Sequence, residues 1–150
     1  MFDCYHYYLL EGMTTSKNER LAAIAKKSIK EATYHLAFSG EWVIRLGDGT
    51  EESHQKMQQS LDDLMPYFNE MFIPETYEIW CHKNQICPPL EIVKSSAYEK
   101  LSCIITEATL QIPQNFHSKK GGKSGMHTEN LGFILADMQY LQRSYPGVEW

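Results

Sequence analysis

The feature that most constrains this chain is a long amphipathic segment, residues 19–46, which stops at the turn sequence Gly47-Asp48-Gly49. Its apolar side chains recur at the three- and four-residue spacing of an α-helix. They form two adjacent stripes, so a helix here needs cover over a wide arc. The first stripe consists of Ala25, Ile29, Ala32, Leu36 and Val43, and the second of Ile24, Phe38 and Trp42. This pattern predicts an inner helix of a bundle.

The other segments also follow helical spacing, and none has the pattern of a convincing β-strand. The predicted elements are helices over 2–13 and 19–46, a helix capped by Thr50 and kinked at Pro66, a connection over 73–89, a helix that stops before Pro113, a loop over 113–127, and a last helix over about 129–144 capped by Thr128. The chain is therefore predicted to be all-α, with a single domain over residues 1–150.

Composition narrows the class of protein. The chain has 150 residues and a formal net charge of -5. This acidic balance argues against a nucleic-acid partner, which needs a basic face. No stretch approaches the ~18 apolar residues of a membrane span, and the first residues lack the basic region of a signal peptide. The four cysteines show no zinc-binding spacing. We therefore predict a cytoplasmic protein with reduced, buried thiols and no membrane association.

A carboxylate and an imidazole lie one helical turn apart in the second stripe, at Glu31 and His35. Burial of either group is costly without a partner, so the two are predicted to be buried or half-buried and hydrogen-bonded to each other. A di-iron site in a helical bundle takes a Glu-x-x-His motif from each of two helices. The residue three before His35 is Ala32, which cannot bind metal. Asp3-x-x-His6 has the spacing of the motif, but it lies at the start of the chain and we interpret it as a coincidence. We interpret the pair as metal-free, with a di-iron site as the alternative.

The predicted loop over 113–127 contains GGKSG, half of a phosphate-binding loop. The full pattern needs glycine where His117 stands, and a strand before it, so no such loop is predicted. Three lysines, Lys119, Lys120 and Lys123, nevertheless precede a helix N-terminus, which is a setting that favours anions. They are candidates for contact with the phosphates of a ligand or with acidic groups of a partner. A solvated, flexible loop is the alternative interpretation.

Two long segments are similar in sequence to a known protein family. They are IKEATYHLAFSGEWVIRLGDGTEESHQKMQ at residues 29–58 and GGKSGMHTENLGFILADMQYLQRSYPGVEW at residues 121–150. Shorter matching sequences are NEMF at 69–72 and EATLQIPQ at 107–114. Over essentially all of its length, the chain resembles the C-subunit family of the phenylacetyl-CoA epoxidase complex, PaaC.

The resemblance implies a ferritin-like helical bundle, of which this chain holds the second half and the C-terminal helices. It implies a structural subunit of aerobic phenylacetate catabolism, not catalytic alone, that pairs with a homologous catalytic subunit. In the family, the assembled monooxygenase converts phenylacetyl-CoA to its ring-1,2-epoxide and receives electrons from a separate reductase subunit. Iron is expected in the catalytic subunit, and no cofactor is expected in this chain.

The resemblance also assigns roles to particular residues. The vestigial positions of a metal site are Glu31, Ala32 and His35. The segment that lies toward the acyl-CoA substrate in the family corresponds by position to Ile79, Trp80 and Cys81. Together with the three lysines of the Gly-rich loop, these residues are the predicted substrate contacts.

Family members have additional helices before the position of Met1, so the chain is expected to be N-terminally truncated relative to the family. Without such helices, the inner faces of the first two helices are expected to be exposed, which favours association. Two further hypotheses stay open. One is a di-iron oxygenase or metal-binding ferritin-like protein in its own right, and the other is a homo-oligomer that buries these faces against copies of itself.

Overall fold

The computed structural model describes residues 1–149, and within them it contains seven α-helices and no strand. The all-α prediction is confirmed, and the arrangement is consistent with a ferritin-like fold. The helices are α1 Phe2–Met13, α2 Glu19–Gly47, α3 Glu51–Phe68, α4 Thr76–Lys83, α5 Leu90–Glu107, α6 Asn130–Met138 and α7 Tyr140–Ser144, with short 3-10 helices at Asn69–Phe72 and Gly122–Ser124. No helix in this described range is long and apolar enough to cross a bilayer.

The chain divides into two compact units, the first over Met1–Lys119 and the second from Lys120 onward. The first unit contains the hydrophobic core, in which α1 packs against α2 and α5, and α2 packs against α3. The buried core residues are Cys4, Leu36, Leu61, Met65, Phe68, Phe72, Val93, Ala97, Leu101, Ile104, Ile105, Ala108 and Leu110. These residues come from four α-helices, the Asn69–Phe72 turn and the segment that follows α5, so the core joins distant parts of the sequence.

Side-chain caps define where α2 and α3 begin. The Asn18 side chain accepts a hydrogen bond from the Leu21 amide at 3.2 Å. The Thr50 hydroxyl accepts one from the Ser53 amide at 3.2 Å, as its position in the sequence predicts. Each cap satisfies a backbone donor that has no partner within the helix. The chain therefore turns from α2 into α3 at the predicted place, near Gly47.

Small residues allow α2 to approach α5 closely. A Cβ atom on Gly40 would lie 3.2 Å from Ile104, and one on Gly47 would lie 2.4 Å from the carbonyl oxygen of Ala108. The Gly47 carbonyl also accepts a hydrogen bond from His54 Nδ1 at 2.7 Å. The end of α2 is therefore fixed both by close backbone contact and by a half-buried imidazole.

The segment 73–89 is not the plain connection that the sequence predicts, because it contains α4. Glu75 and Glu78 form a capping box in which the Glu75 amide donates to Glu78 Oε2 at 2.8 Å. This cap begins a helix of eight residues, which is too short to show a clear apolar period. The prediction was therefore wrong for 76–83.

The last helix also differs from the prediction. It is divided at Gln139 into α6 and α7, and the residue before α6 is Glu129 rather than the predicted cap Thr128. Glu129 makes no capping hydrogen bond through its side chain. No residue of α6 or α7 is buried. The exposed apolar side chains include Phe133, Ile134, Met138, Tyr140, Leu141 and Tyr145.

Candidate functional site

The Glu31 and His35 side chains are on the solvent-exposed side of α2. Their relative exposures are 80% and 54%, and 3.6 Å separates Glu31 Oε1 from His35 Nε2. This distance permits an ion pair when the imidazole is protonated, but it exceeds that of a hydrogen bond. The prediction of a buried, hydrogen-bonded pair is therefore wrong. An exposed pair of this kind contributes little to stability.

The physical reason is that only one of the two apolar stripes of α2 is covered. The buried residues of the helix are Ala22, Ala25, Ala32, Leu36, Gly40 and Gly47, which follow the first stripe. The second stripe is exposed, and Glu31 and His35 lie in it. Periodicity identifies both stripes as apolar, but it cannot tell which of them faces the core.

We call this second stripe the outer face of α2 and define it by Ile24, Glu31, Tyr34, His35, Phe38 and Trp42. Its large apolar side chains are between 46% and 63% exposed. Tyr34 stacks on Phe38 with ring centroids 5.9 Å apart, and Phe38 meets Trp42 at 6.4 Å. The Arg45 guanidinium lies 5.7 Å from the centroid of the Trp42 ring. Continuous exposed apolar surface of this kind marks an interaction site.

The described residues do not supply a metal-ligand set. Across residues 1–149, no three His, Cys, Asp or Glu side chains are grouped so that they could hold a metal ion. Ala32, at the position where the di-iron motif needs a carboxylate, is buried against the core. The outer face of α2 thus offers at most one carboxylate and one imidazole. These side chains do not fit a carboxylate-bridged di-iron centre, which needs ligands from four helices.

The predicted substrate-contact residues of segment 73–89 lie on α4, not in a loop. Ile79 is 41% exposed and Trp80 is 59% exposed, whereas Cys81 is half-buried. Successive residues of a helix project about 100° apart. The structure therefore does not direct the three side chains to one point, although Ile79 and Trp80 present apolar surface to solvent.

The lysines of the Gly-rich loop divide between the two units. Lys119 ends the first unit, where its amide donates a hydrogen bond to the Pro66 carbonyl at 2.8 Å. Lys120 and Lys123 belong to the second unit. There, Gly121 takes a φ of 105°, and its carbonyl accepts the Met126 amide at 2.7 Å. The Gly-rich sequence forms a tight turn, since this left-handed conformation favours glycine.

The first unit contains an apolar cavity that the sequence pattern did not indicate. It has a volume of about 190 Å³ and lies between α1, α2, α3 and α5. Its lining includes Cys4, Leu36, Val43, Leu61, Leu101 and Ile105. These residues are distant in the sequence and each fits a core pattern, so no sequence signal could have revealed the cavity.

Ionisable groups at the core of the first unit are held neutral. Burial raises the pKa of the Cys4 thiol, so this cysteine is not an activated nucleophile. Burial, followed by the nearby charge of Glu78, raises the pKa of Tyr5 to about 12. In both cases the main cause is desolvation of the charged form. These pKa shifts are the result of burial in the packed core. Neither residue has the properties of a catalytic acid or base near neutral pH.

Comparison with known proteins gives two findings. The family model described as "Phenylacetic acid catabolic protein" matches residues 1–150. The chain is 42% identical over 148 residues to the C subunit of the 1,2-phenylacetyl-CoA epoxidase of Escherichia coli (strain K12). The alignment covers 99% of this chain and 60% of the relative. The chain thus spans about 60% of the length of the curated relative that it matches.

Proposed function

The chain belongs to the phenylacetic acid catabolic protein family, and on that basis we propose that it is a structural subunit of a phenylacetyl-CoA epoxidase complex. The observation that carries this proposal is its similarity to the C subunit of such an epoxidase over nearly its whole length. The chain acts in phenylacetate catabolism by docking against a di-iron catalytic subunit and by helping to shape the site for the acyl-CoA substrate. It holds no iron and does not catalyse the epoxidation alone.

The side chains of α2 support a non-catalytic role. The vestigial positions Glu31, Ala32 and His35 lack a third ligand, and no other described group of ligand-type side chains could replace it. The chemistry of oxygen activation is accordingly assigned to the catalytic subunit.

The outer face of α2 supports a role in assembly. Its aromatic side chains form a continuous exposed surface, and burying them would remove a large apolar area from water. In the complex, this face is covered by other helices of the assembly. An Arg beside an exposed Trp, as at Arg45 and Trp42, is also typical of interface centres.

Metal analysis separates this proposal from a di-iron enzyme. The purified chain is loaded with ferrous iron, desalted and analysed for iron, with His35→Ala as the matched variant. We expect less than about one iron per ten chains in both proteins, since a two-ligand site binds weakly. Two irons per chain in the parent, lost in the variant, would establish the di-iron oxygenase instead.

Contact with the acyl-CoA substrate involves two further groups in this proposal. They are Ile79, Trp80 and Cys81 on α4, and the lysines Lys119, Lys120 and Lys123. Lysine side chains attract phosphate as point charges, and an exposed Trp can cover an apolar group.

A triple Lys→Ala variant at these positions tests the second group. We expect weaker binding of a CoA thioester by the assembled complex, because three positive charges are lost. Isothermal titration would measure the change at low and at high salt. A variant with Lys26 and Lys30 changed to Ala, on the exposed side of α2, is the charge control. Equal affinities for the triple variant and the parent would remove the lysines from the substrate site.

A further inference from the structure

Cys81 and Cys87 are brought together by the way in which α4 ends. The residue after the cap, Gln85, has a left-handed φ of 59°. Its amide donates to the His82 carbonyl at 2.9 Å, and the Ile86 amide donates to the Cys81 carbonyl at 2.9 Å. These two bonds form a Schellman motif, which reverses the chain against the last turn of the helix. Residue 87 therefore returns to the helix beside residue 81.

The thiol contacts agree with this backbone geometry. Cys87 Sγ donates to the Glu78 carbonyl at 3.8 Å, and Glu78 lies one turn before Cys81 on α4. Burial first, and then the neighbouring Cys81 and Glu78, raise the pKa of the Cys87 thiol. Cys81 is thus close enough to affect the ionisation of Cys87. Both thiols are half-buried, whereas Cys4 is fully buried.

Small molecules in solution can reach Cys87. It lines an open pocket of about 190 Å³ formed where the end of α4 meets the end of α1. Gly12, Thr15, His82 and Pro88 contribute to the walls of this pocket. The volume suits a peroxide or the end of a small disulfide, so the oxidant does not require the helix to unfold.

We propose that Cys81 and Cys87 are a redox modification site. The two thiols form a reversible intramolecular disulfide by exchange with a low-molecular-weight disulfide, such as oxidised glutathione, which acts as the oxidant. Cys81 attacks a sulfur of the small disulfide as its thiolate and releases one small thiolate, because the raised pKa of Cys87 keeps that thiol protonated. Cys87 then loses its proton and attacks the mixed disulfide, which releases the other small thiolate. Two protein thiols are oxidised, and one small disulfide is reduced to two thiols.

The bond would fasten α4 to the segment that leads into α5. Pro88, next to Cys87, packs so closely on α1 that a Cβ atom on Gly12 would lie 2.6 Å from its ring. A Cys81–Cys87 bond therefore connects the end of α4, through Pro88, to α1. This property does not depend on the role of the chain in an epoxidase complex.

Peptide mapping tests the site in the whole chain. The folded protein is incubated with excess oxidised glutathione, free thiols are alkylated, and the product is digested without reduction. Trypsin cuts after Lys56, Lys83 and Lys94, so the bond would join peptide 57–83 to peptide 84–94. We expect this linked pair to hold most of Cys81 and Cys87, and to separate on treatment with a phosphine.

Cys103 supplies the matched control, because it is exposed on α5. Cys103→Ser is expected to retain the linked peptides, whereas Cys81→Ser and Cys87→Ser abolish them. Circular dichroism checks that each variant is folded, and the mapping of the unmodified sequence stands without the variants. The proposal is overturned if Cys103 carries glutathione while Cys81 and Cys87 are recovered as free thiols or as separate glutathione adducts.

Discussion

At the scale of single residues, the close approach of α2 and α5 depends on Gly47. A Cβ atom there would lie 2.4 Å from the Ala108 carbonyl oxygen and 2.8 Å from the Ala108 methyl group. A real side chain at this position forces the two backbones apart. Gly132 in α6 is the opposite case, because no atom beyond its chain neighbours and its own helix backbone lies within 4 Å of its Cβ position.

Gly47→Ala is expected to destabilise the first unit by about 2 kcal/mol, the usual cost of overpacking a filled site. Gly132→Ala is expected to leave stability unchanged or to raise it by up to about 1 kcal/mol, because alanine favours a helix. Urea denaturation of both variants measures the difference. Equal midpoints for Gly47→Ala and the parent would contradict the observed packing.

The raised pKa of Tyr5 predicts that the folded protein loses stability at alkaline pH. Its pKa in the folded protein is raised to about 12, above its ordinary value near 10. The folded state therefore favours the neutral phenol, and the contribution is complete below pH 10. It is lost as the pH rises from 10 through 12.

We expect the free energy of unfolding to fall over this range, and Tyr5→Phe to remove part of the fall. Denaturation at pH 8, 10 and 11 tests the expectation. Tyr34→Phe, which changes a tyrosine that is 63% exposed, is the control. If Tyr5→Phe and Tyr34→Phe change the pH dependence equally, the assigned role of burial at Tyr5 is wrong.

At the scale of elements, α2 has one covered face and one exposed face. Leu36 belongs to the core, whereas the neighbouring His35 is exposed and contacts Glu31 and the ring of Tyr34, which are also exposed. The two residues are adjacent in the sequence, so they form a matched pair for mutation.

Leu36→Ala is expected to destabilise the protein by about 2–3 kcal/mol, through lost burial and an enlarged cavity. His35→Ala is expected to change stability by less than about 0.5 kcal/mol, because exposed ion pairs contribute little. Chemical denaturation at neutral pH measures both changes. A large loss for His35→Ala would mean that the outer face of α2 is covered in solution.

The elements differ in how far sequence could predict them. Two helices, α1 and α2, and the cap at Thr50 were predictable, because long apolar periods and capping residues are local properties. The burial of Glu31 and His35 was predicted wrongly, since both stripes of α2 are apolar and only tertiary contacts decide between them. The helix α4 was missed because it is short and lies between prolines. The thiol pair at its end depends on a left-handed residue, Gln85, that no glycine marks.

At the scale of the whole molecule, the exposed apolar surface on the outer face of α2 is the feature that most favours binding to another protein. The outer face of α2 predicts association either with other subunits or with copies of the chain. Light scattering over a range of concentrations distinguishes the two when the catalytic subunit is added. We expect any self-associated form to be replaced by a mixed complex with the catalytic subunit. A chain that stays monomeric at all concentrations, with and without the catalytic subunit, would contradict both kinds of association.

The central proposal is that this chain is a non-catalytic subunit of a phenylacetyl-CoA epoxidase. The most direct measurement is co-purification of a tagged form of the chain with an untagged di-iron catalytic subunit, followed by iron analysis of each component. The E. coli relative serves as the positive control. We predict a stoichiometric complex whose iron stays with the catalytic subunit. No complex under conditions in which the E. coli relative forms one, or stoichiometric iron in the isolated chain, would contradict the account.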